Sequence, residues 1–286
     1  VYFSSDTNAS AYLELSGPGQ IETRLVLDAL RLEKVDRLDA PHQPILKWAR
    51  VLNPVTRDIE ISWYPSLEGD IKGYRLYMSE DGLNWGNPLV DESILTAGIH
   101  SYQFTYPDTH QTVYFRTVAV DTNTYFSGIG NEEPLLSEPS DAYGVGFAGN
   151  ISILIVDNFD RQASWGLPYH PFVASYGEAL NVRGHGFDSC TETAVQNGDI
   201  LLTDYDIVIY FCGDDSRVDE SLAAADQFRL LDYLESGGKL FISGSEIGYD
   251  FDATTSTELN RYEYLLRTSY VGDISGSNRV LGSAGT

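Results

Sequence analysis

The stretch GSEIG, from Gly244 to Gly248, places a carboxylate in a tight turn directly after the apolar run KLFIS. Many enzymes present a catalytic side chain on such a turn, because small residues permit the sharp change of direction at the edge of a sheet. Glu246 holds that position here. Two interpretations follow, a catalytic carboxylate and a polar side chain in a structural turn. We favour the second, because turns and folds of this kind serve many functions.

Further carboxylates follow the other apolar runs of the same part of the chain. Such groups can ligate Ca²⁺ or Mg²⁺, can work in pairs about 5–10 Å apart as acid and base on a glycosidic bond, or can cap helices. The catalytic hypothesis pairs Glu246 with Asp157 or Asp214. Asp214 and Asp215 also precede a helical stretch that they are predicted to cap. The metal hypothesis draws on Asp157, Asp160, Asp214, Asp215 and Asp250, and no other cofactor is predicted.

The elements that would position these groups lie in residues 150–286. Three apolar runs, ISILIVD, IVIYF and KLFIS, show no alternation, which is typical of parallel strands covered on both faces. Helical stretches separate them, and this alternation predicts a doubly wound α/β layer that binds ligands at the carboxyl ends of its strands. A fourth strand near Gly184–Asp188 is left open. A fifth is expected beyond residue 286, so that this domain is truncated at its C-terminus.

Two helices are predicted between these runs from the spacing of apolar residues. The first buries a face of Phe172, Val173, Tyr176 and Leu180. The second ends at Gly237, because glycine is the usual residue after a helix C-terminus. Its predicted buried face consists of Leu222, Ala225, Phe228, Leu231 and Leu234.

Residues 40–146 show a different pattern, with about seven short alternating strands separated by turn signals. In IEISWYPS, for example, Ile59, Ile61 and Trp63 alternate with polar positions. This pattern predicts an all-β sandwich. The segment resembles a fibronectin type III domain through Trp63 in ISWYPS, Tyr74 in GYRLYMS, Tyr114 in YFRTVAVD and the closing SEPS. The resemblance implies a spacer or adhesion module in which Trp63 fills the core and Tyr114 makes a tyrosine-corner contact.

Residues 1–38 contain short strand patterns, of which LVLDALRLEK is the clearest. This run resembles the last strand of a golvesin C-terminal-like domain, also described as xanthan lyase carbohydrate-binding-like. The resemblance covers about ten residues. It implies that the chain begins with the C-terminal remnant of a β-rich domain.

The third segment resembles the class I glutamine amidotransferase-like superfamily through YDIVIYFCG, LLDYLESGGKLFISG and the GSEIG turn. The family implies a flavodoxin-like fold and a catalytic cysteine within a G-x-C-x-G turn. Glu246 replaces that cysteine, and Cys190 and Cys212 lie elsewhere in the chain. The amidotransferase chemistry therefore does not carry over. The expected fold is thus a multidomain chain of β plus α/β class, a fibronectin type III β-sandwich followed by a flavodoxin-like doubly wound parallel sheet.

The amino-acid composition limits the classes of binding partner that the chain is expected to have. The chain has 286 residues, with 42 acidic and 18 basic side chains and a formal charge of −24. Such a charge disfavours binding to nucleic acid and to anionic membranes. A helix needs about 20 apolar residues to span a bilayer, and no apolar run approaches that length. A polysaccharide, a cation or a cell-surface protein is favoured, with self-association as a further option. Two cysteines do not form a disulfide scaffold.

The order of the three segments resembles that of secreted multidomain bacterial proteins. We therefore expect a non-catalytic extracellular or cell-surface module, a spacer joined to a ligand- or partner-binding α/β domain, with a role in adhesion, carbohydrate binding or a surface assembly. The alternative is a fragment of a carbohydrate-active or peptidoglycan hydrolase, similar to xanthan lyase or to N-acetylmuramoyl-L-alanine amidase, with acidic catalytic residues.

Overall fold

The computed structural model describes residues 40–128, 131–159, 169–215, 220–252 and 264–268. The golvesin-like run of residues 1–38 and the candidate ligand Asp160 lie outside the described residues. Seven strands occupy the segment up to residue 146. They are β1 (Leu46–Asn53), β2 (Asp58–Trp63), β3 (Ile71–Ser79), β4 (Ser101–Thr105), β5 (Thr112–Gly128), β6 (Asn131–Leu136) and β7 (Tyr143–Gly146).

These strands form two facing sets, β1–β2–β4 and β3–β5–β7, with all pairings antiparallel. Trp63 and Tyr74 come from opposite sets and are buried together, with ring centroids 5.5 Å apart. Tilted aromatic pairs of this kind stabilise a core beyond the area that they bury. The predicted core role of Trp63 is therefore confirmed. The Tyr114 hydroxyl does not make a tyrosine corner, because it donates to the Ala174 carbonyl, 60 residues downstream, at 3.4 Å.

The third segment adds four strands that pair in parallel in the order β11–β10–β8–β9. The predicted apolar runs form β8, β10 and β11, and the strand left open near Gly184–Asp188 exists as β9. The strand bounds are β8 (Ile151–Asp157), β9 (Gly186–Thr191), β10 (Ile207–Phe211) and β11 (Lys239–Ser243). Four α-helices and one 3₁₀ helix accompany them among the described residues: α1 (Phe172–Val182), α2 (Glu192–Gln196), the 3₁₀ turn Leu202–Asp204, α3 (Ala224–Glu235) and α4 (Ile247–Asp252).

The prediction of a separate flavodoxin-like doubly wound sheet is wrong. Strand β9 also pairs antiparallel with β1 and β7, so all eleven strands belong to one curled, mostly antiparallel sheet. Only the β8–β9, β8–β10 and β10–β11 pairings are parallel among the described strands. The helices are short as well, and α3, the longest of those described, has 12 residues. None of them is long and apolar enough to cross a membrane.

The predicted buried face of the second helix is correct only in part, because Leu222, Leu231 and Leu234 pack against the buried core but Ala225 and Phe228 are exposed. Helix α3 buries Asp226, Gln227, Leu230 and Tyr233, whereas Phe228 is 52% exposed. The error has a physical cause, because two polar side chains, Asp226 and Gln227, take buried positions where they are hydrogen-bonded. The predicted end of the helix is confirmed, since Gly237 has a φ of +96° and its N–H donates to the Leu234 carbonyl at 3.1 Å.

Candidate functional site

The GSEIG turn joins β11 to α4 as the sequence predicts. The Ser245 N–H donates to the Gly213 carbonyl at 2.9 Å, which ties this turn to the one that follows β10. A Cβ on Gly244 would lie 2.9 Å from the Ile247 side chain and 3.1 Å from that of Cys212, so the close approach requires glycine. Glu246 is partly exposed, and its carbonyl accepts the Asp250 N–H in the first turn of α4. Glu246 thus has a structural position at a helix start.

The structure brings three of the predicted strand-end carboxylates together, around the Cys212 thiol. Burial and the charges of Asp215, Asp157 and Asp250 raise the pKa of Cys212 above its ordinary value. Asp157 accepts the Phe159 N–H at 3.1 Å, and Asp250 accepts the Ser221 N–H at 2.9 Å. These carboxylates are buried and hold backbone groups in place.

The capping role predicted for Asp214 and Asp215 is wrong. Helix α3 begins at Ala224, and Ala223 at its N-cap makes no side-chain hydrogen bond to the helix. Asp215 is buried, and its carbonyl accepts the Ser221 hydroxyl at 2.9 Å. Asp214 is half-buried and lies near His170, where its charge acts against the lowering of the His170 pKa.

Metal-ligating geometry does not occur at the strand ends among the described residues. Among the described residues, one group of three side chains is close enough together to hold an ion, and it lies elsewhere, on the surface of the sandwich. It consists of the exposed side chains Glu80, Asp108 and His110. The His110 Nδ1 atom is 2.9 Å from Glu80 and 3.2 Å from Asp108. These contacts between exposed side chains form a surface cluster, and such clusters contribute little to stability.

A buried polar network on α3 was not predicted from the sequence. The Tyr210 hydroxyl lies 2.7 Å from the Asp226 carboxylate and 3.0 Å from Asn158 Oδ1. The Gln196 side chain donates to Asp226 at 2.8 Å, and the Asn158 amide donates to the Ser221 carbonyl at 3.0 Å. The sequence feature that could have indicated the network is Asp226 within AAADQF, a polar residue on the buried face of the helix. The network joins β8, β10, α2 and α3.

Two other buried carboxyl groups have raised pKa values. Burial raises the pKa of Asp188 to about 7, although the Val51 N–H and the Tyr205 hydroxyl donate to it at 2.8 and 2.9 Å. Burial also raises the pKa of Glu192, and the charge of Asp226 adds to the shift. Both groups lie within the packed sheet region. Raised values mark functional sites only when the group faces a cleft.

An open cleft lies beside α1, at the carboxyl ends of β10 and β11. It encloses about 400 Å³, and α1, β10 and β11 each contribute to its walls. Rings and hydroxyls make up most of the lining, and the Tyr176 hydroxyl is 2.8 Å from Ser243 Oγ. The lining residues are Phe172, Ser175, Tyr176, Phe211, Gly213, Ser243, Gly244 and Ser245. None of these carries a carboxylate, imidazole, amine or thiol. We call this feature the α1 cleft.

An aromatic cluster supports the α1 cleft from below. Phe172 is 40% exposed, and its ring stacks on His170 with centroids 5.3 Å apart and packs edge-on against Phe211 at 6.3 Å. Phe159 lies 4.5 Å from the His170 ring. Burial lowers the pKa of His170, so its imidazole is neutral at pH 7. His170 is therefore a packed ring.

Neither cysteine is placed for thiolate chemistry. Cys190 and Cys212 are free and buried, and burial raises the pKa of both thiols. A thiol is nucleophilic as its thiolate, which these environments disfavour at neutral pH.

No protein-family model and no curated protein matches this chain. Solved structures similar to parts of it include a beta-1,2-glucanase from Parabacteroides distasonis, at 25% identity over 37% of this chain and 13% of that one, with a TM-score of 0.26. A Fn3-like protein from Clostridium thermocellum matches at 19% identity over 35% of this chain and 90% of that one, with a TM-score of 0.25.

A pectate lyase from Pectobacterium carotovorum matches at 13% identity over 40% of this chain and 33% of that one, with a TM-score of 0.23. This chain thus spans a small part of the glucanase and about a third of the lyase. The neighbours include a Fn3-like protein and carbohydrate-active enzymes, but at these TM-scores the likeness carries no argument about function.

Proposed function

We propose that this chain is a non-catalytic binding module of an extracellular or cell-surface protein, and that the α1 cleft takes a sugar ring of a neutral polysaccharide. The observation that carries the proposal is the lining of the cleft. Rings of Phe172 and Tyr176 offer apolar faces, and the hydroxyls of Ser175, Ser243 and Ser245 offer hydrogen-bond donors and acceptors. This combination suits a pyranose, which presents C–H faces and a rim of hydroxyls.

The absence of an acid and a base from the lining supports binding over hydrolysis. A glycosidase needs two carboxyl groups across one cleft, one of them with a raised pKa. Among the described residues, the carboxyl groups with a raised pKa are those of Asp188 and Glu192. Both are buried and hydrogen-bonded. Asp157, paired with Glu246 in the catalytic hypothesis, is 4% exposed. Glu246 follows the lining residue Ser245, Asp214 follows the lining residue Gly213, and neither carboxylate is among the described residues that line the cleft.

The position of the cleft gives further support. The turns that follow the parallel strands β10 and β11 meet beside α1 at this edge of the sheet. Small residues, Gly213 and Gly244, follow β10 and β11 and line the open cleft. The extracellular setting rests on the acidic composition of the chain, with its formal charge of −24.

The test measures retention of the protein on insoluble neutral glucans and on peptidoglycan, with soluble sugar release recorded in parallel. Phe172→Ala removes an exposed ring from the cleft. Phe228→Ala removes a ring of similar exposure, 52% against 40%, from α3 outside the cleft and serves as the matched control. Glu246→Gln tests catalysis.

We expect Phe172→Ala to weaken retention about three- to tenfold, as the loss of one stacked ring implies. Phe228→Ala and Glu246→Gln should match the wild type, with no sugar released by any of the proteins. Equal retention of Phe172→Ala and wild type would refute the cleft as the binding site. Sugar release that disappears in Glu246→Gln would replace the binding module with a hydrolase.

A further inference from the structure

A guanidinium surrounded by aromatic rings lies on the sandwich, outside the α1 cleft. Arg116 of β5 pairs in register with Tyr77 of β3, so both side chains stand on the same face of the sheet. The guanidinium carbon lies 4.5 Å from the Trp85 ring centroid, 5.6 Å from that of Tyr77 and 5.5 Å from that of Tyr169. We call this group the Arg116 cage.

The Arg116 guanidinium has no carboxylate partner within the part of the chain that the structure describes. Two other arginines of the sandwich, Arg75 and Arg50, do have one, whereas Arg57 lies over the rings of Tyr106 and Phe147 and donates to the His110 carbonyl. Arg75 binds Glu92 through two nitrogens at 2.7 and 2.9 Å, and Arg50 lies 2.6 Å from Glu60. The Nε atom of Arg116 is buried and has no hydrogen-bond acceptor. Arg116 differs from Arg57 in having three rings around it and no described hydrogen bond to a carbonyl, so its charge is not satisfied by the described protein groups.

The cage is built firmly enough to hold this geometry. Gly82, in the turn that leads to Trp85, has a φ of +70°, and a Cβ there would lie 2.6 Å from Ala174 Cβ. The Ser79 hydroxyl accepts the Gly82 N–H at 3.0 Å, and Asp81 accepts the Leu83 N–H at 2.9 Å. The turn is therefore packed against α1 and internally hydrogen-bonded, which fixes the start of the Trp85 loop.

A stacked guanidinium keeps its N–H groups in the plane between the rings. Because Nε is enclosed, the terminal nitrogens are the ones that can reach a ligand. Guanidinium nitrogens bind carboxylates in a bidentate manner, and half-burial strengthens the pairing by excluding water. The three rings around it, two of them tyrosines, supply apolar edges and hydroxyls to the carbon frame that carries the carboxylate.

We propose that the Arg116 cage binds the carboxylate of a uronic acid residue within an acidic polysaccharide. The site is separate from the α1 cleft, and the inference does not depend on the proposed function. A sugar that carries one carboxylate per ring fits better than a densely charged polyanion, because the formal charge of −24 repels the latter. The local pairing of carboxylate and guanidinium weakens as salt rises, and it requires the charged form of the sugar.

The experiment titrates the whole chain with trigalacturonate and, in parallel, with its fully methyl-esterified form, by calorimetry at low salt. Arg116→Gln removes the cation, Arg116→Lys keeps the charge without the planar fork, and Trp85→Ala removes the nearest ring. Arg183→Gln, an exposed arginine just after α1, matches the change in net charge. Thermal melting confirms that each variant folds.

We expect the acid to bind the wild type at least about tenfold more tightly than the ester, since only the acid offers a charged bidentate acceptor. Arg116→Gln should abolish this preference, Arg116→Lys and Trp85→Ala should reduce it, and Arg183→Gln should leave it unchanged. Equal binding of acid and ester, no binding of either, or full binding by a folded Arg116→Gln would each overturn the proposal.

If a variant fails to fold, the proposal can still be tested on the wild-type protein. The Trp85 indole N–H resonance of the wild type, assigned by its loss in Trp85→Phe, should shift on addition of trigalacturonate and not of the ester. An unchanged resonance at saturating trigalacturonate overturns the proposal. Loss of neutral-glucan retention in Phe172→Ala is measured separately, so the failure of one site is distinguishable from failure of the other.

Discussion

The two faces of the parallel strands differ sharply in chemistry. Alternate residues of β10 show this, since Tyr210 points to the α3 side and contacts Asp226, while Phe211 points to the α1 side and lines the cleft. The α3 face holds carboxylates that are buried and hydrogen-bonded. The α1 face is aromatic, carries hydroxyls and opens to solvent. Acidic groups at strand ends are therefore mostly part of the architecture here, and the accessible surface lies on the uncharged side.

The largest expected effect comes from breaking the polar network of the α3 face. Asp226→Ala removes the acceptor of the Gln196 amide and of the Tyr210 hydroxyl. Losing this buried carboxylate leaves the Gln196 amide without its described acceptor and Tyr210 with Asn158 Oδ1 alone, and should lower the free energy of unfolding by about 3 kcal/mol. Urea denaturation measures the change. Asp232→Ala, on the exposed side of the same helix, should change it by less than about 0.5 kcal/mol; comparable losses in the two variants would argue against a network role.

Asp188 provides a pH-dependent test on the same face, where β9 meets β1. Its folded pKa of about 7 is above that of an unfolded aspartate. The protonated form is therefore favoured by folding, so its contribution to stability is complete below about pH 4 and is lost as pH rises through about 7. Asp188→Asn keeps an acceptor for the Val51 N–H.

We expect Asp188→Asn to be more stable than wild type by about 2 kcal/mol at pH 8 and to lose this advantage at pH 4.5. Unfolding at a series of pH values tests this expectation. A constant difference between the two proteins across that range would show that the Asp188 carboxyl does not titrate with a raised pKa.

Matched removal of one hydroxyl on each face sharpens the comparison. Tyr210→Phe breaks contacts inside the buried network, and we expect a loss of about 1.5 kcal/mol in unfolding free energy. Tyr176→Phe removes a hydroxyl that contacts Ser243 at the open cleft, where water replaces it, and should cost less than about 0.5 kcal/mol. Denaturation of both variants under one condition measures the two unfolding free energies. A larger loss of unfolding free energy for Tyr176→Phe than for Tyr210→Phe would reverse the assignment of the two faces.

The sequence predicted strands better than it predicted their connections. Alternation at Ile59, Ile61 and Trp63 located the sandwich core, and the unbroken run IVIYF located a buried strand. Strand β9 escaped a firm prediction because GFDSCT is buried at all six positions but carries polar side chains. Its antiparallel partners β1 and β7 lie far away in sequence, and local pattern does not encode such pairing.

The candidate site was predicted in position but not in composition. The strand ends and the tight turn at Gly244 lie where the sequence placed them. The candidate ligands Asp157 and Asp250 are both buried and accept backbone N–H groups, which the sequence pattern did not indicate. The rings of the α1 cleft come from α1 and β10, whose apolar residues read as core in the sequence.

The most direct measurement of the central claim is a crystal structure of the protein with a neutral oligosaccharide bound. The account predicts a sugar ring packed on Phe172 and Tyr176 and hydrogen-bonded to the serine hydroxyls of the cleft, with the Glu246 carboxylate away from any glycosidic oxygen. A sugar whose glycosidic oxygen lies within hydrogen-bond distance of Glu246, with a second carboxyl group on the opposite side of that bond, would contradict it.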